Sequence, residues 1–148
     1  MEKNYGKLLL MEAISFVVMY VVMFLNVDDS EHVYLSLTRT YMSLMMVAPM
    51  ALLMLAFMGK MYMNKQLNAV ISIAAIIVFT GALAALRTQT PVGDIQYMKA
   101  MIPHHSSAIL TSKHADIKDP EVKALSEQII QSQEREIAEM KAMLERLQ

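Results

Sequence analysis

Long apolar runs alternate with short polar connections over the first 88 residues of the chain. The apolar runs cover about residues 8–25, 41–57 and 69–86, and each is close to the roughly 20 residues that an α-helix needs to cross a bilayer. The first run carries Glu12, lacks a small-residue cleavage site and is followed by two more runs, which argues against a cleaved signal peptide. We therefore predict a region of three transmembrane helices over residues 1–88.

The charges that flank these runs predict how the chain is oriented. Lysines precede the first run and occupy the second connection, whereas the first connection is mainly acidic. Because basic loops stay in the cytoplasm, we expect a cytoplasmic amino terminus in a cytoplasmic (inner) membrane and an extracytoplasmic, periplasmic carboxy-terminal domain. The residues used are Lys3, Lys7, Lys60 and Lys65 on one side and Asp28, Asp29, Glu31 and Arg39 on the other.

After a predicted linker at residues 89–93, the pattern changes to that of amphipathic helices. Asp94 is a candidate helix cap, and the apolar positions that follow recur at helical spacing to about residue 114. Pro103 lies inside this helix and is expected to bend it just before His104. The positions on one side of the helix are Met98, Met101, Ile102, His105 and Ile109.

A second helix is predicted to run from Pro120 to the carboxy terminus. Asp119 suits the cap position and Pro120 the first helical position. Its apolar face comprises Val122, Leu125, Ile129, Ile137, Met140, Leu144 and Leu147. Residues 94–148 therefore form an antiparallel helical hairpin, which cannot close a core alone. We expect two hairpins to pair as a four-helix bundle in a homodimer or higher homo-oligomer.

Composition narrows the class of protein. A hydrophobic content of 55% and a mean hydropathy of +0.36 fit an all-α integral membrane protein with the lipid bilayer as a partner. The net charge of −1 gives no electrostatic reason to expect nucleic acid as a partner. The chain has no cysteine and sixteen methionines, so a sulfur-containing metal site would have to use thioethers.

The stretch Tyr97 to His105 concentrates candidate metal ligands. At about 100° per residue, Met98, Met101 and His105 share one helix face, and His104 lies about 60° beyond Met101. Thioethers prefer monovalent copper or silver, and imidazole accepts copper. The residues favour a soft-metal site, with core packing by the methionines as the competing interpretation.

Three further features of the sequence each allow two interpretations. The second helix's apolar face turns polar at Gln133 and Glu136, which suits either a register device or a contribution to a site. Glu12 lies in an apolar run and either marks an ion path or pairs near the boundary. The second run carries a stripe of methionines at four-residue spacing, which either binds copper or packs against another helix. The stripe comprises Met42, Met46, Met50, Met54 and Met58.

Residues 94–147 resemble the domain of unknown function 305 family, a helical, ferritin-like domain. The resemblance rests on a methionine-rich first helix that ends in a histidine pair, and on a glutamine, glutamate, isoleucine and methionine pattern in the second helix. Those residues are Asp94, Met98, Met101, His104, His105 and Ala108, then Gln133, Glu136, Ile137 and Met140. Members of the family are associated with copper and silver binding outside the cytoplasm.

This resemblance implies a metal site and its ligands. The implied ligands are Met98, Met101, His104, His105 and Met140, with Asp94, Gln133, Glu136 and His114 as surrounding residues. The expected function is binding of monovalent copper or silver in metal homeostasis or tolerance. A partner that donates or accepts the metal is not identifiable from the sequence.

Two other functions were weighed against metal binding. The alternative is a structural or assembly module whose helical bundle joins membrane subunits without metal. An enzyme is not expected, because the sequence has no Glu-x-x-His pair, catalytic triad or phosphate-binding loop.

Overall fold

The computed structural model describes residues 2–148 and contains five α-helices there, with no strand among these residues. The helices are α1 (Glu2–Val22), α2 (Leu37–Phe57), α3 (Lys65–Thr88), α4 (Asp94–His114) and α5 (Pro120–Leu147). A short 3-10 helix, Ser30–His32, lies between α1 and α2. The predicted all-α fold is confirmed. Met1 and the side chain of Lys3, one of the lysines used to predict orientation, lie outside what the structure describes.

Three of these helices are long and apolar enough to cross a membrane: Asn4–Val22, Leu37–Phe57 and Lys65–Thr88. This confirms three candidate membrane-spanning helices before the hairpin. The first apolar run was placed at about residues 8–25, and within it α1 ends at Val22, with residues 23–26 forming turns. The apolar run continues through Leu25, so hydrophobicity alone did not mark the helix end. Both internal prolines, Pro49 in α2 and Pro103 in α4, lie within continuous helices.

The chain divides into two compact units, the first of which contains α1, α2 from Thr38, and α3 through Pro91. Asn64 caps α3 by accepting hydrogen bonds from the backbone N–H groups of Gln66 and Leu67. The hydroxyl of Tyr5 accepts the backbone N–H of Asn64 at 3.0 Å and lies 2.8 Å from Oδ1 of Asn68. The start of α1 and the connection from α2 to α3 therefore lie at the same end of this unit.

The second unit comprises Met23–Leu37 and Val92–Gln148. In it, α4 and α5 form an antiparallel hairpin around an apolar cluster of Met98, Ile102, Ile109, Ile137 and Leu144. Asp119 caps α5 as predicted, accepting from the N–H groups of Glu121 and Val122 at 2.9 and 3.0 Å. Asp94 does not cap α4: it is the first helical residue after Gly93, and no side-chain cap bond forms there.

Two observations in this unit differ from the sequence prediction. Much of the predicted apolar face of α5 is exposed, since Val122, Leu125 and Leu147 are 50%, 55% and 41% exposed. The buried part of this face is narrower than the predicted apolar face, because a single neighbouring helix covers only part of it. The connection Met23–Leu37 packs with the hairpin, and its Tyr34 lies against the apolar cluster. No hydrophobic periodicity in residues 23–37 predicts this packing.

Candidate metal centre

His105 lies at the centre of the α4–α5 hairpin and is only 8% exposed. It is the inward-facing member of the histidine pair, whereas His104 is exposed. The two histidine rings lie edge-on, with their centroids 6.1 Å apart. Nδ1 of His105 lies 2.9 Å from the backbone oxygen of Met101, one turn earlier on α4. Because a carbonyl oxygen can only accept, Nδ1 carries a proton and donates it. This bond fixes the ring plane and the tautomer.

The other ring nitrogen, Nε2 of His105, lies 2.7 Å from Oε2 of Glu136 on α5. Ser132, four residues before Glu136, donates its hydroxyl to the second carboxylate oxygen at 2.7 Å. The hydrogen bond from Ser132, and then that from His105, lower the pKa of Glu136 below its ordinary value. An ionised carboxylate accepts only, so this 2.7 Å contact is a hydrogen bond from Nε2 of His105 to Glu136 when that nitrogen carries a proton.

The methionines predicted as ligands occupy the turns next to this pair. Because α4 and α5 run antiparallel, the residue four positions before His105 lies at the same height along the hairpin as the residue four positions after Glu136. These two residues are Met101 and Met140, which therefore lie at the same height, one turn from the His105–Glu136 pair. Met140 is half-buried against the apolar cluster, and Met101 is half-buried on α4. Met98 lies about 10 Å along α4 from His105 and is 4% exposed within the apolar cluster. Its surroundings are those of a core methionine.

The structure separates the other predicted site residues from His105. Asp94 and His114 are exposed and lie about 16 Å and about 13 Å along α4 from His105. Nδ1 of His114 donates to the backbone oxygen of Leu110 at 3.0 Å. Gln133 is half-buried, one turn before Glu136. Among the predicted set, the residues gathered at one place are therefore His105, Glu136, Met101 and Met140, with Gln133 at the edge.

The connection Met23–Leu37 is held directly behind this site by Ser106. Ser106 is fully buried, and its Oγ accepts the backbone N–H of Asp28 at 2.8 Å. The same oxygen lies 2.9 Å from Nδ1 of His32. On the neighbouring residue, Ser107 Oγ accepts from the side-chain amide of Asn26 at 2.8 Å. The residue after His105 is thus the main polar anchor of the connection.

Ion pairs complete this attachment and border a shallow pocket of about 390 Å³. Lys113 lies 2.8 Å from Asp28, and that hydrogen bond raises the lysine's pKa. Lys141 lies 3.4 Å from Glu31. Burial, and then the charge of Lys141, lower the pKa of His32, which lines the pocket. Because opposite charges already pair around it, the pocket has no strong net attraction for an ion of either sign.

The donors gathered at His105 fit a soft metal ion by type: one imidazole, two thioethers and a neighbouring carboxylate. Within residues 2–148, no group of three or more His, Cys, Asp or Glu side chains is arranged to hold a metal. A site here would therefore depend on thioether sulfur, which favours monovalent copper or silver over zinc, calcium or magnesium. For Nε2 to bind a metal, that nitrogen must carry no proton and Glu136 must move aside; the glutamate side chain is 41% exposed, which leaves it room to move.

Sequence reasoning missed Ser132 and the connection from Asn26 to His32. Ser132 could have been found, because it lies four residues before Glu136 and so falls on the same face of a helix. The connection has no helical or strand periodicity, and it attaches through a backbone N–H and single side chains. No sequence pattern indicated which part of the hairpin it would contact.

Comparisons with known proteins support the assignment of the domain. The chain is 40% identical over 149 residues to the Uncharacterized protein L153 of Acanthamoeba polyphaga mimivirus, covering 96% of this chain and 93% of that protein. No solved structure matches the chain significantly. Residues 54–144 match the family described as a domain of unknown function (DUF305), a stretch that takes in α3, α4 and most of α5. The chain therefore belongs to the DUF305 family, with three helices long enough to cross a membrane preceding the hairpin.

Proposed function

We propose that this protein is a membrane-anchored binder of monovalent copper or silver that acts in metal homeostasis or tolerance. The observation that carries the proposal is the position of His105, a buried histidine with two half-buried thioethers one turn away. Exposed histidines are common on helices, but a buried one flanked by soft donors is a typical metal environment. A bound ion would be held or passed on, with no reaction at the protein.

Each residue of the site has a distinct part in this proposal. His105 supplies the imidazole nitrogen, with its ring oriented by the Met101 backbone oxygen. Met101 and Met140 supply thioethers from the two helices. Glu136 is the hydrogen-bond partner of His105 Nε2 when no metal is bound and is the group that moves aside. His104 completes the proposed ligand set from the solvent side, whereas Met98, which the sequence also suggested, lies in the apolar cluster and serves packing.

Metal titration of the full-length protein tests the proposal. Isothermal titration with monovalent copper under reducing conditions is expected to give saturable binding by the wild type. Loss of a residue that only hydrogen-bonds to a metal ligand already weakens metal binding by about 10- to 100-fold. His105→Asn removes a direct ligand, so it is expected to weaken copper binding by at least as much. Replacing Met101 and Met140 with leucine keeps their volume and is expected to have a similar effect.

His114→Asn is the matched control, because His114 is an exposed histidine on the same helix. Its affinity for copper is expected to equal that of the wild type. Unchanged binding after simultaneous replacement of Met98, Met101, His104 and His105 would refute the proposal. A loss only in the Met98→Leu variant would move the site one turn toward the start of α4.

For orientation, we propose that the hairpin lies outside the cytoplasm of an inner membrane. The start of α1 and the connection from α2 to α3 lie at one end of the first unit, since the side-chain amide of Asn4 donates to the backbone oxygen of Met61 at 3.2 Å. Lys7, Lys60 and Lys65 belong to these segments, and by the positive-inside rule this supports a cytoplasmic position for that end. Labelling of single cysteines introduced at Lys60 and at Lys123 with a membrane-impermeant reagent tests this: only the second should react in intact cells.

An assembly role is the second candidate, supported by the apolar residues that the hairpin leaves exposed. These residues are Tyr97, Val122, Leu125, Met143 and Leu147. In this candidate, two hairpins pair as a four-helix bundle and the methionines serve packing. This candidate predicts that Leu125→Glu lowers the mass of the protein oligomer in a non-denaturing detergent. It also predicts that metal binding is negligible in both the wild type and the variant. A mass of one chain across a dilution series would exclude it.

A further inference from the structure

Glu12 stands out in the membrane-spanning part of the protein because its carboxylate is covered and has no partner. Both of its oxygens are buried, and neither has a hydrogen-bond partner within residues 2–148. Glu12 lies on α1, eight residues after the polar start of the span at Asn4. Of the two interpretations left open by the sequence, pairing near the membrane boundary is not seen: no bond from Glu12 to Lys7 or Lys60 occurs among the described residues.

The basic residues of the neighbouring helices, Arg39 on α2 and Lys65 and Arg87 on α3, lie near the helix ends. Between residues 8–22, 42–57 and 69–86, the only acid or base besides Glu12 is the phenol of Tyr20. The first unit is held together at one end by a cluster to which all three helices contribute, around Tyr5, Leu8 and Tyr62. An ionised carboxylate would therefore remain unpaired in an apolar environment, which strongly disfavours the charged form.

The register of α1 and α3 sets a buried alanine at the depth of Glu12. Tyr5 contacts Asn68, and α1 and α3 both begin at this end. Seven residues further along each helix, about 10 Å deeper, are Glu12 and Ala75, and Ala75 is buried. An alanine side chain offers the carboxyl group no polar partner.

The same relation holds on α2. Leu55 packs against the cluster that contains Leu8. One turn deeper into the unit, these helices carry Ala51 and Glu12, and Ala51 is buried. The buried hydroxyl of Ser43 has no partner either, but it lies two turns beyond Ala51, about 12 Å along α2.

A metal ion does not suit this place. A hard cation takes about six oxygen ligands, whereas Glu12 offers two oxygens and the Ser43 hydroxyl lies too far along α2 to join them. A proton needs only one oxygen, and a neutral carboxyl group can donate its O–H to a backbone carbonyl of the preceding turn. We infer that Glu12 is a proton-binding site within the membrane-spanning helices and that its carboxyl group carries a proton at neutral pH.

Infrared spectroscopy of the full-length protein in lipid bilayers tests this inference. The difference spectrum between the wild type and Glu12→Gln at neutral pH is expected to contain the C=O stretching band of a protonated carboxylic acid, shifted in D₂O. The matched control is Glu121→Gln, at an exposed position on α5, whose difference spectrum is expected to contain only carboxylate bands. Carboxylate bands in the Glu12→Gln difference spectrum, with no protonated band, would overturn the inference.

A second measurement uses the unaltered protein, in case Glu12→Gln does not fold. Dicyclohexylcarbodiimide, an apolar reagent, adds to protonated carboxyl groups, and the modified residue is located by peptide mass. Labelling is expected at Glu12 and not at Glu121. Absence of labelling at Glu12 would contradict the inference, as would labelling that sodium ions abolish at constant pH, because sodium would then occupy the carboxylate.

Discussion

Replacing Ser106 with alanine is expected to release the connection Met23–Leu37 from the hairpin. The substitution removes the acceptor of the Asp28 backbone N–H, 2.8 Å away, and the partner of His32 Nδ1, 2.9 Å away. Ser106 is fully buried, so its methyl replacement brings no water to these groups. Each lost bond costs about 1 kcal/mol, and together they weaken docking by about 2 kcal/mol, or about 30-fold in the docking equilibrium.

Hydrogen exchange measures this directly, because the Asp28 amide itself is the donor. In Ser106→Ala its exchange is expected to be about 30-fold faster, with faster exchange across the connection. The neighbouring substitution Ser107→Ala is the control: it removes only the exposed bond from Asn26, so the loss is under about 1 kcal/mol and the change under about fivefold. An Asp28 amide that exchanges at the wild-type rate in Ser106→Ala would refute the docking described here.

Three further outcomes follow from burial and charge in the second unit. Ile102 is completely buried, so Ile102→Ala should lower the free energy of unfolding by about 2–5 kcal/mol in denaturant titrations, whereas Val122→Ala at a half-exposed site should change it by about 0.5 kcal/mol or less. Burial lowers the pKa of His32 below 6.5, so the undocked imidazole binds a proton more readily than the docked one. Docking of the connection Met23–Leu37 is therefore fully stable above pH 6.5 and weakens as the pH falls below that value. Exchange between about pH 7.5 and pH 5.5 should detect this in the wild type and not in His32→Gln. Lys113→Gln, which removes the exposed ion pair with Asp28, should weaken docking only slightly, with a smaller effect at high salt.

Much of the fold could be predicted because its signals are long and periodic. Three apolar runs of sufficient length predict three spans whatever their tertiary contacts, and Asp119 with Pro120 marks the start of α5 through local chemistry. The inward position of His105 follows from its spacing with Met98 and Ile102 on one helical face. Pro103 was expected to bend the helix at this point, and α4 is continuous through it.

The parts that escaped prediction depend on single contacts between distant residues. The end of α1 at Val22 lies inside an apolar run, so composition did not mark it. The docking of Asp28 on Ser106 joins residues 78 positions apart through a backbone N–H, which leaves no pattern in the sequence. The pairing of His105 with Glu136 could be suggested by the polar gap in α5, but its 2.7 Å contact depends on the register of two helices, which the sequence leaves open.

The central claim is that the α4–α5 hairpin binds a soft metal ion at His105. Anomalous diffraction from crystals of the full-length protein grown with silver or monovalent copper tests it most directly. The account predicts an anomalous peak between α4 and α5, within coordination distance of the His105 ring and of the sulfur atoms of Met101 and Met140. Metal found only along the Met42 to Met58 stripe of α2, or no peak on the hairpin at saturating metal, would contradict it.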